Sequence, residues 1–199
     1  MILIVLAIFL IIILSVVAST LYVVRQQTVV IIEGFGKYQT TSGSGMHVRL
    51  PFGIDKIAAR IQLRLLQSEI VVETKTKDNV FVTLNVATQY RVNEQNVTDA
   101  YYKLMRPEAQ IKSYIEDALR SSVPKLTLDE LFEKKDEIAL EVQHQVAEEM
   151  STYGYIIVKT LITKVEPDAE VKQSMNEINA AQRKRVAAQE LANADKIKI

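Results

Sequence analysis

The densest candidate chemistry lies in "EGFGKYQTTSGSGM", Glu33–Met46, which holds four of the chain's six glycines. Gly34-x-Gly36-Lys37 sets a flexible backbone beside a cation, a combination that can cradle phosphate. A Walker loop also needs an opening glycine, and a Ser or Thr directly after the lysine so that a hydroxyl meets magnesium. Here Tyr38 follows Lys37. A dinucleotide fingerprint needs G-x-G-x-x-G running into a helix whose amino terminus holds the phosphate. After Gly36 this chain continues Lys-Tyr-Gln-Thr, which reads as strand. Ser42-Gly43-Ser44-Gly45 lacks the G-x-S-x-G elbow and no helix pattern follows it, so Ser44 does not read as a nucleophile. The glycines are therefore read as turn residues that supply positive φ.

The other reactive types are as sparse. His47 and His144 are the two histidines, and neither has a second histidine at i+4; His47 alternates with the apolar face of a strand and His144 sits on a helix rich in glutamate, so no metal site is expected. Both read as structural or surface groups. There is no cysteine, which excludes disulfides and thiolate metal sites. Asp129, Glu130, Glu133, Asp136, Glu137, Glu141, Glu148 and Glu149 form a carboxylate cluster, but Lys134 and Lys135 are interspersed. That is the solvated face of an amphipathic helix rather than an acid/base dyad. The expectation is no enzyme, no catalytic or metal residues and no cofactor.

Twenty-four basic and 24 acidic residues leave a formal net charge of zero over 199 residues, so no basic footprint points to nucleic acid. The first 24 residues, "MILIVLAIFLIIILSVVASTLYVV", carry no charged side chain. As one helix they would span about 35 Å, against a hydrocarbon core of roughly 30 Å. Residues 1–24 are therefore expected to be a membrane anchor, with Ile4, Leu6, Phe9, Ile12, Leu14, Val17 and Leu21 facing lipid. A cleaved signal peptide ending near Val16-Val17-Ala18 is the rival, but a basic n-region is missing and the apolar run continues to Val24. A buried helix of a soluble core is a further rival. Arg25 and Lys37 follow the run, so the positive-inside rule puts the body in the cytoplasm.

Beyond the anchor, Thr28–Glu33 reads as a strand. Met46, Val48 and Leu50 alternate with His47 and Arg49 in a second. Val80, Val82, Leu84, Val86, Thr88, Tyr90 and Val92 share one face of a long third, preceded by a turn at Asp78-Asn79. Pro107 opens a helix carrying Ile111, Tyr114, Ile115, Ala118 and Leu119, which Pro124 ends. Thr127-x-x-Glu130 is a capping box opening a helix through Met150, with Gly154 as its stop. Tyr155–Glu166 is expected to be a strand central in its sheet, because it is apolar on both faces. From Ala169 the chain has no glycine or proline. Its alanine- and charge-rich helix is too polar to stand alone and should pair with others, continuing as a longer coiled coil. Val171, Met175 and Ile178 start its stripe. Arg183 and Arg185 of "QRKR", with Glu190, are candidates for interhelical pairs. The expected domains are the anchor at 1–24, an α+β body at 25–166 and the start of a coiled-coil helix at 167–199.

The order of parts resembles the SPFH (stomatin, prohibitin, flotillin; Band 7) family, in particular the hypersensitive-induced reaction branch. "ETKTKDNVFV" (Glu73–Val82), "YYKLMRPEAQIKSYIEDALRSSVPKLTLDELFEKKDEIA" (Tyr101–Ala139), "MSTYGYIIVKTLI" (Met150–Ile162) and "EPDAEVKQSMNEINAAQRKRVAAQELA" (Glu166–Ala192) carry the resemblance. Three departures stand out. Gly34 replaces a frequent arginine, Gly43-Ser44-Gly45-Met46-His47 replaces a P-G-L-H type sequence, and an apolar segment replaces a lipidated amino-terminal glycine. The resemblance implies a twisted, mainly antiparallel sheet with packed helices. It also implies a homo-oligomeric ring or cage of many subunits that organises a membrane microdomain and serves clients such as membrane proteases. Membrane lipid is then a partner, and Met46, Leu50 and Phe52 are expected to meet the bilayer surface. The expected setting is a single-pass protein of a bacterial-type cytoplasmic membrane with the SPFH domain facing the cytoplasm. The alternatives are a membrane-tethered hydrolase or protease component whose active part lies elsewhere, and a monomeric adaptor.

Overall fold

Thr20 is where the apolar segment changes character. In the computed structural model, which describes residues 2–51 and 54–197, helix α1 runs Ile2–Thr20 and strand β1 follows at once, Leu21–Val24. Tyr22 and Val24 alternate inward and are buried, while Leu21 and Val23 face out. The last four apolar residues of the expected 24-residue span therefore belong to a sheet. The β-branched valines fit a pleated half-buried surface better than a further helical turn. As 19 residues, α1 is about 28 Å long. Among the described residues no helix is long and apolar enough to cross a membrane. The expected 24-residue apolar helix is thus shortened to 19 residues.

The chain divides into two compact units. The first takes the chain up to Ser68 together with Thr88–Ile111 and Gln143–Lys159. Here β1 pairs antiparallel with β4 (Gly45–Val48), and β2 (Thr28–Gly34) lies between β3 (Lys37–Ser42) and β5 (Asp55–Gln62). Val29, Val30, Ile31 and Ile32 of β2 are all buried, the continuous apolar run of a central strand covered on both faces. Tyr22, Val24, Val30 and Ile32 pack into one cluster with Ile57 against it. At the β2–β3 turn Phe35 and Gly36 both take positive φ, 53° and 78°. Two left-handed central residues match the right-handed twist of a tight hairpin. Also in this unit, the 97–102 helix α2 approaches Gly154 (φ 77°) so closely that a Cβ there would collide with the Asn96 carbonyl oxygen.

The second unit holds Glu69–Ala87, Lys112–Val142 and the chain from Thr160 onward. The third sheet has the order β6 (Leu66–Lys75), β7 (Phe81–Val92), β8 (Tyr155–Pro167). The alternation read from the sequence is present in β7: Val82, Leu84 and Val86 are buried in this unit, and the same phase continues to Val92. β7, not β8, is the central strand, correcting the expectation for Tyr155–Glu166. Only Tyr155, Ile157, Thr160 and Ile162 of β8 are buried, and Val158 is exposed; an edge position leaves part of an apolar strand uncovered.

The β6–β7 turn closes through Thr76 N–H donating to the Val80 carbonyl at 2.9 Å, with Asn79 at φ 66°. Helix α3 runs Pro107–Ser122 and ends in a short 3-10 turn containing Pro124. The capping box forms: Glu130 N–H donates to Thr127 Oγ1 at 3.3 Å, and Thr127 N–H donates to Glu130 Oε2 at 2.9 Å. The helix it opens is not continuous to Met150. It breaks at Lys134 into α4 (Leu128–Glu133) and α5 (Lys135–Ser151). Asp136 and Glu137 then sit in the first turn of α5, where the helix dipole favours negative charge. Helix α6 runs Ala169–Ile197 and starts with Asp168 Oδ1 accepting from Ala169 N–H at 3.0 Å.

Candidate membrane-contact and assembly surfaces

The β1–β4 ribbon has two chemically different faces. Its register pairs Leu21 with Val48, Tyr22 with His47 and Val23 with Met46. Because side chains alternate along a strand, Leu21, Val23, Met46 and Val48 fall on one face, and all four are exposed. On the other face Tyr22 stacks on His47 with ring centroids 5.6 Å apart. Tyr22 O–H donates to the Ser42 hydroxyl at 2.7 Å, and His47 Nε2 lies 2.8 Å from the Gly43 carbonyl oxygen. His47 and Ser42, the two reactive types of this loop, are thus tied into ribbon structure.

The ribbon is joined directly to α1. Arg49 N–H donates to the Thr20 carbonyl at 2.8 Å, and its guanidinium reaches the Ser19 carbonyl at 3.4 Å. That satisfies two of the carbonyls a helix end leaves open and puts a cation at its negative pole. Ile4, Leu6, Phe9 and Leu14 of α1 are all exposed. The side chains of Ile12 and Val17 lie outside the described residues. Leu21, counted with the anchor, is the first residue of β1.

Met46 and Leu50, expected at the bilayer surface, are 72% and 54% exposed; Phe52 lies outside the described residues. Sequence reasoning put Val48 on the side of Met46 and counted Leu21 with the anchor, but missed that Leu21 and Val23 join Met46 and Val48 on one sheet face. Leu21–Val24 shows no apolar/polar alternation that would set it apart from the run before it. The "GFG" stretch is the hairpin tip, with exposed Phe35 at its end, and Lys37 begins a strand. No helix follows the glycines.

On α6, Val171 and Met175 are half-buried, and Ile178, Arg183, Arg185 and Glu190 are exposed. At roughly 100° per residue, Val171, Met175 and Ile178 share one face, and Arg185 borders it. Arg183 and Glu190, seven residues apart, lie together on a flank about a third of a turn away. The stripe and that charged pair occupy different sides, so the six expected interface residues divide into two groups.

Three tyrosines and a carboxylate gather in the first unit. Tyr102 O–H donates to Glu33 Oε1 at 2.7 Å. The Tyr102 ring stands edge-on to Tyr101 (4.9 Å, 73°) and to Tyr38 (6.3 Å, 80°). Partial burial, the hydrogen bond to Glu33 and that group's negative charge push the Tyr102 hydroxyl up to about 12. Elsewhere in the unit, burial and Glu108 push the Tyr90 hydroxyl above its ordinary value, with Tyr90 O–H donating to Glu108 Oε1 at 3.1 Å.

The family model described as "SPFH domain / Band 7 family" matches residues 22–196. The chain belongs to that family. It is 39% identical over 174 residues to hypersensitive-induced response protein 4 of Arabidopsis thaliana, covering 87% of this chain and 60% of that protein. A stomatin homolog of Pyrococcus horikoshii is 28% identical over 197 residues, 96% of this chain and 70% of that one. A stomatin homolog of Pyrococcus abyssi is 28% identical over 186 residues, 90% and 66%. The chain thus spans about three-fifths of the length of the plant relative. The SPFH match begins at Tyr22, inside β1, so the strand that follows α1 lies within the family domain.

Proposed function

We propose that this SPFH chain is a non-enzymatic, membrane-anchored scaffold that assembles with copies of itself into a large ring or cage. The observation that carries the reading is continuity of apolar surface. Exposed Ile4, Leu6, Phe9 and Leu14 of α1 lead into exposed Leu21, Val23, Met46 and Val48 of the ribbon. An apolar patch of this extent marks a membrane or protein contact. In this reading α1 is embedded in the bilayer and the ribbon rests on its surface, with the SPFH domain on the cytoplasmic side. Helix α6 supports assembly because it exposes Ile178 and Val186 on a polar helix with little else to pack on. Neighbouring α6 helices would supply the missing partner, and many weak contacts would sum to a stable assembly. The assembly would organise a membrane microdomain and its resident proteins, membrane proteases among them.

The test is the native mass of the full chain in mild detergent beside a chain ending before Pro167. The scaffold reading expects a species of many subunits for the full chain, and a folded but much smaller species for the shorter one. A full chain at monomer mass would overturn it.

A further inference from the structure

We propose that the cleft lined by Glu33, Tyr101, Tyr102, Met105, Pro107 and Tyr155 binds an organic cation of the trimethylammonium class. The cleft measures 730 Å³, within the roughly 300–1,000 Å³ usual for small-molecule sites. Three of its lining side chains are tyrosines, and Glu33 is its one carboxylate. Aromatic faces attract cations through the ring quadrupole, and desolvated sites do so most strongly. Tyr101 and Tyr102 stand nearly perpendicular, so their surfaces meet in a corner rather than a flat stack. Tyr38 meets the Tyr102 ring edge-on, with centroids 6.3 Å apart.

Glu33 adds the charge. It is half-buried and accepts the Tyr102 hydroxyl hydrogen at one oxygen. Among the described residues it has no ion-pair partner, and its other oxygen remains an acceptor. Donating to a carboxylate also enriches the Tyr102 ring in electron density, which strengthens its pull on a cation. Lys103, the cation that lines the cleft, is engaged by Asp99 at 2.9 Å, so it does not neutralise Glu33. Met105 is 93% exposed, and its polarizable thioether suits contact with methyl groups. A trimethylammonium group carries its charge behind methyls and forms no strong hydrogen bonds, so it matches rings and a nearby carboxylate better than a metal ion does. The site does not depend on the assembly proposed above.

The test uses the full chain in a nonionic maltoside micelle. Choline is titrated calorimetrically, with 3,3-dimethylbutanol as the neutral isostere. The expected result is saturable choline binding, at least about tenfold tighter than the isostere. Glu33→Gln, which keeps the shape, and Tyr102→Leu, which removes the wall, should each weaken it by about tenfold. Tyr102→Phe keeps the ring and should weaken it less, and it guards against a folding defect in the leucine variant. Phosphatidylcholine in the micelle distinguishes the sources. If it displaces choline, the cation is a lipid headgroup. If choline binding persists, the cation is a free solute. Equal binding of the isostere, no saturable binding, or unchanged affinity in both Glu33→Gln and Tyr102→Leu would overturn the proposal.

Discussion

The carboxylate of Asp78 accepts the backbone hydrogen of Leu128, fifty residues later, with oxygens 3.2 and 3.4 Å from that nitrogen. It also accepts from the Thr76 hydroxyl at 2.5 Å. The β6–β7 turn thus supplies a second cap to α4, whose own cap is Thr127. The Thr76 hydrogen bond holds the Asp78 carboxyl below its ordinary value of 3.8. Replacing Asp78 with alanine should cost about 1 kcal/mol, as loss of a helix cap does. A depressed carboxyl pKa contributes stability above 3.8 that is lost as pH falls through the folded value. The gap between wild type and Asp78→Ala in urea unfolding should therefore be full at neutral pH and close in strong acid. A gap that does not change with pH would refute this.

Gly154 offers a backbone test. Its φ of 77° and the Asn96 carbonyl oxygen both oppose a side chain. Gly154→Ala should destabilise by more than about 1 kcal/mol, read as a lower midpoint in thermal or urea unfolding. Gly36→Ala has open space around its Cβ and faces only the strain of its φ, so it should cost less. Reversal of that order would contradict the packing described.

Tyr102 should ionise late. Its hydroxyl is pushed up to about 12, so the neutral phenol is the folded form. A raised pKa contributes stability that is full below the ordinary value of 10 and lost as pH rises through about 12. Tyr90 and Tyr155 are also pushed up by burial, so an absorbance titration at alkaline pH should show a late group of tyrosines, one of which moves earlier in Glu33→Gln. An unchanged titration would separate Tyr102 from Glu33.

Membrane contact by the ribbon can be read by vesicle flotation. Met46→Asp with Val48→Asp places two charges on the exposed face and leaves Tyr22 and His47 opposite untouched. Retention on lipid vesicles should fall several-fold, since each charge must be kept from the apolar boundary. Undiminished flotation would mean α1 alone holds the membrane.

The absence of cysteine from the chain makes α6 directly testable. Ile178→Cys should form an intermolecular disulfide on oxidation of the assembled protein. Arg183→Cys, about 140° round the helix from it, should do so less. Equal yields would argue that the stripe does not set the contact.

Much of the fold was legible because it follows local rules. The period-two face of β7, the Thr127–Glu130 box and the Gly154 stop each depend on residues close in sequence, and each appears in the structure. What failed depended on distant partners. Nothing in Leu21–Val24 marks it as a strand until β4 is there to pair with it. Tyr155–Pro167 looks central by composition, yet strand order is set by which neighbours arrive. The break at Lys134 has no proline or glycine to announce it. The tyrosine cleft was invisible for the same reason: Glu33, Tyr38, Tyr101 and Tyr102 meet only once β2 and α2 share a unit.

The junction at Thr20 and Leu21 has a mechanical meaning. Helix becomes strand with no residue between them, and Arg49, the residue after β4, fastens the seam. There is no swivel. A change in the tilt of α1 would be delivered as torque to a hydrogen-bonded ribbon whose inner face holds Tyr22 against His47. In the membrane-anchored reading proposed above, deformation of the bilayer around α1 would reach the β1–β4 ribbon without slack, as a blade answers its tang.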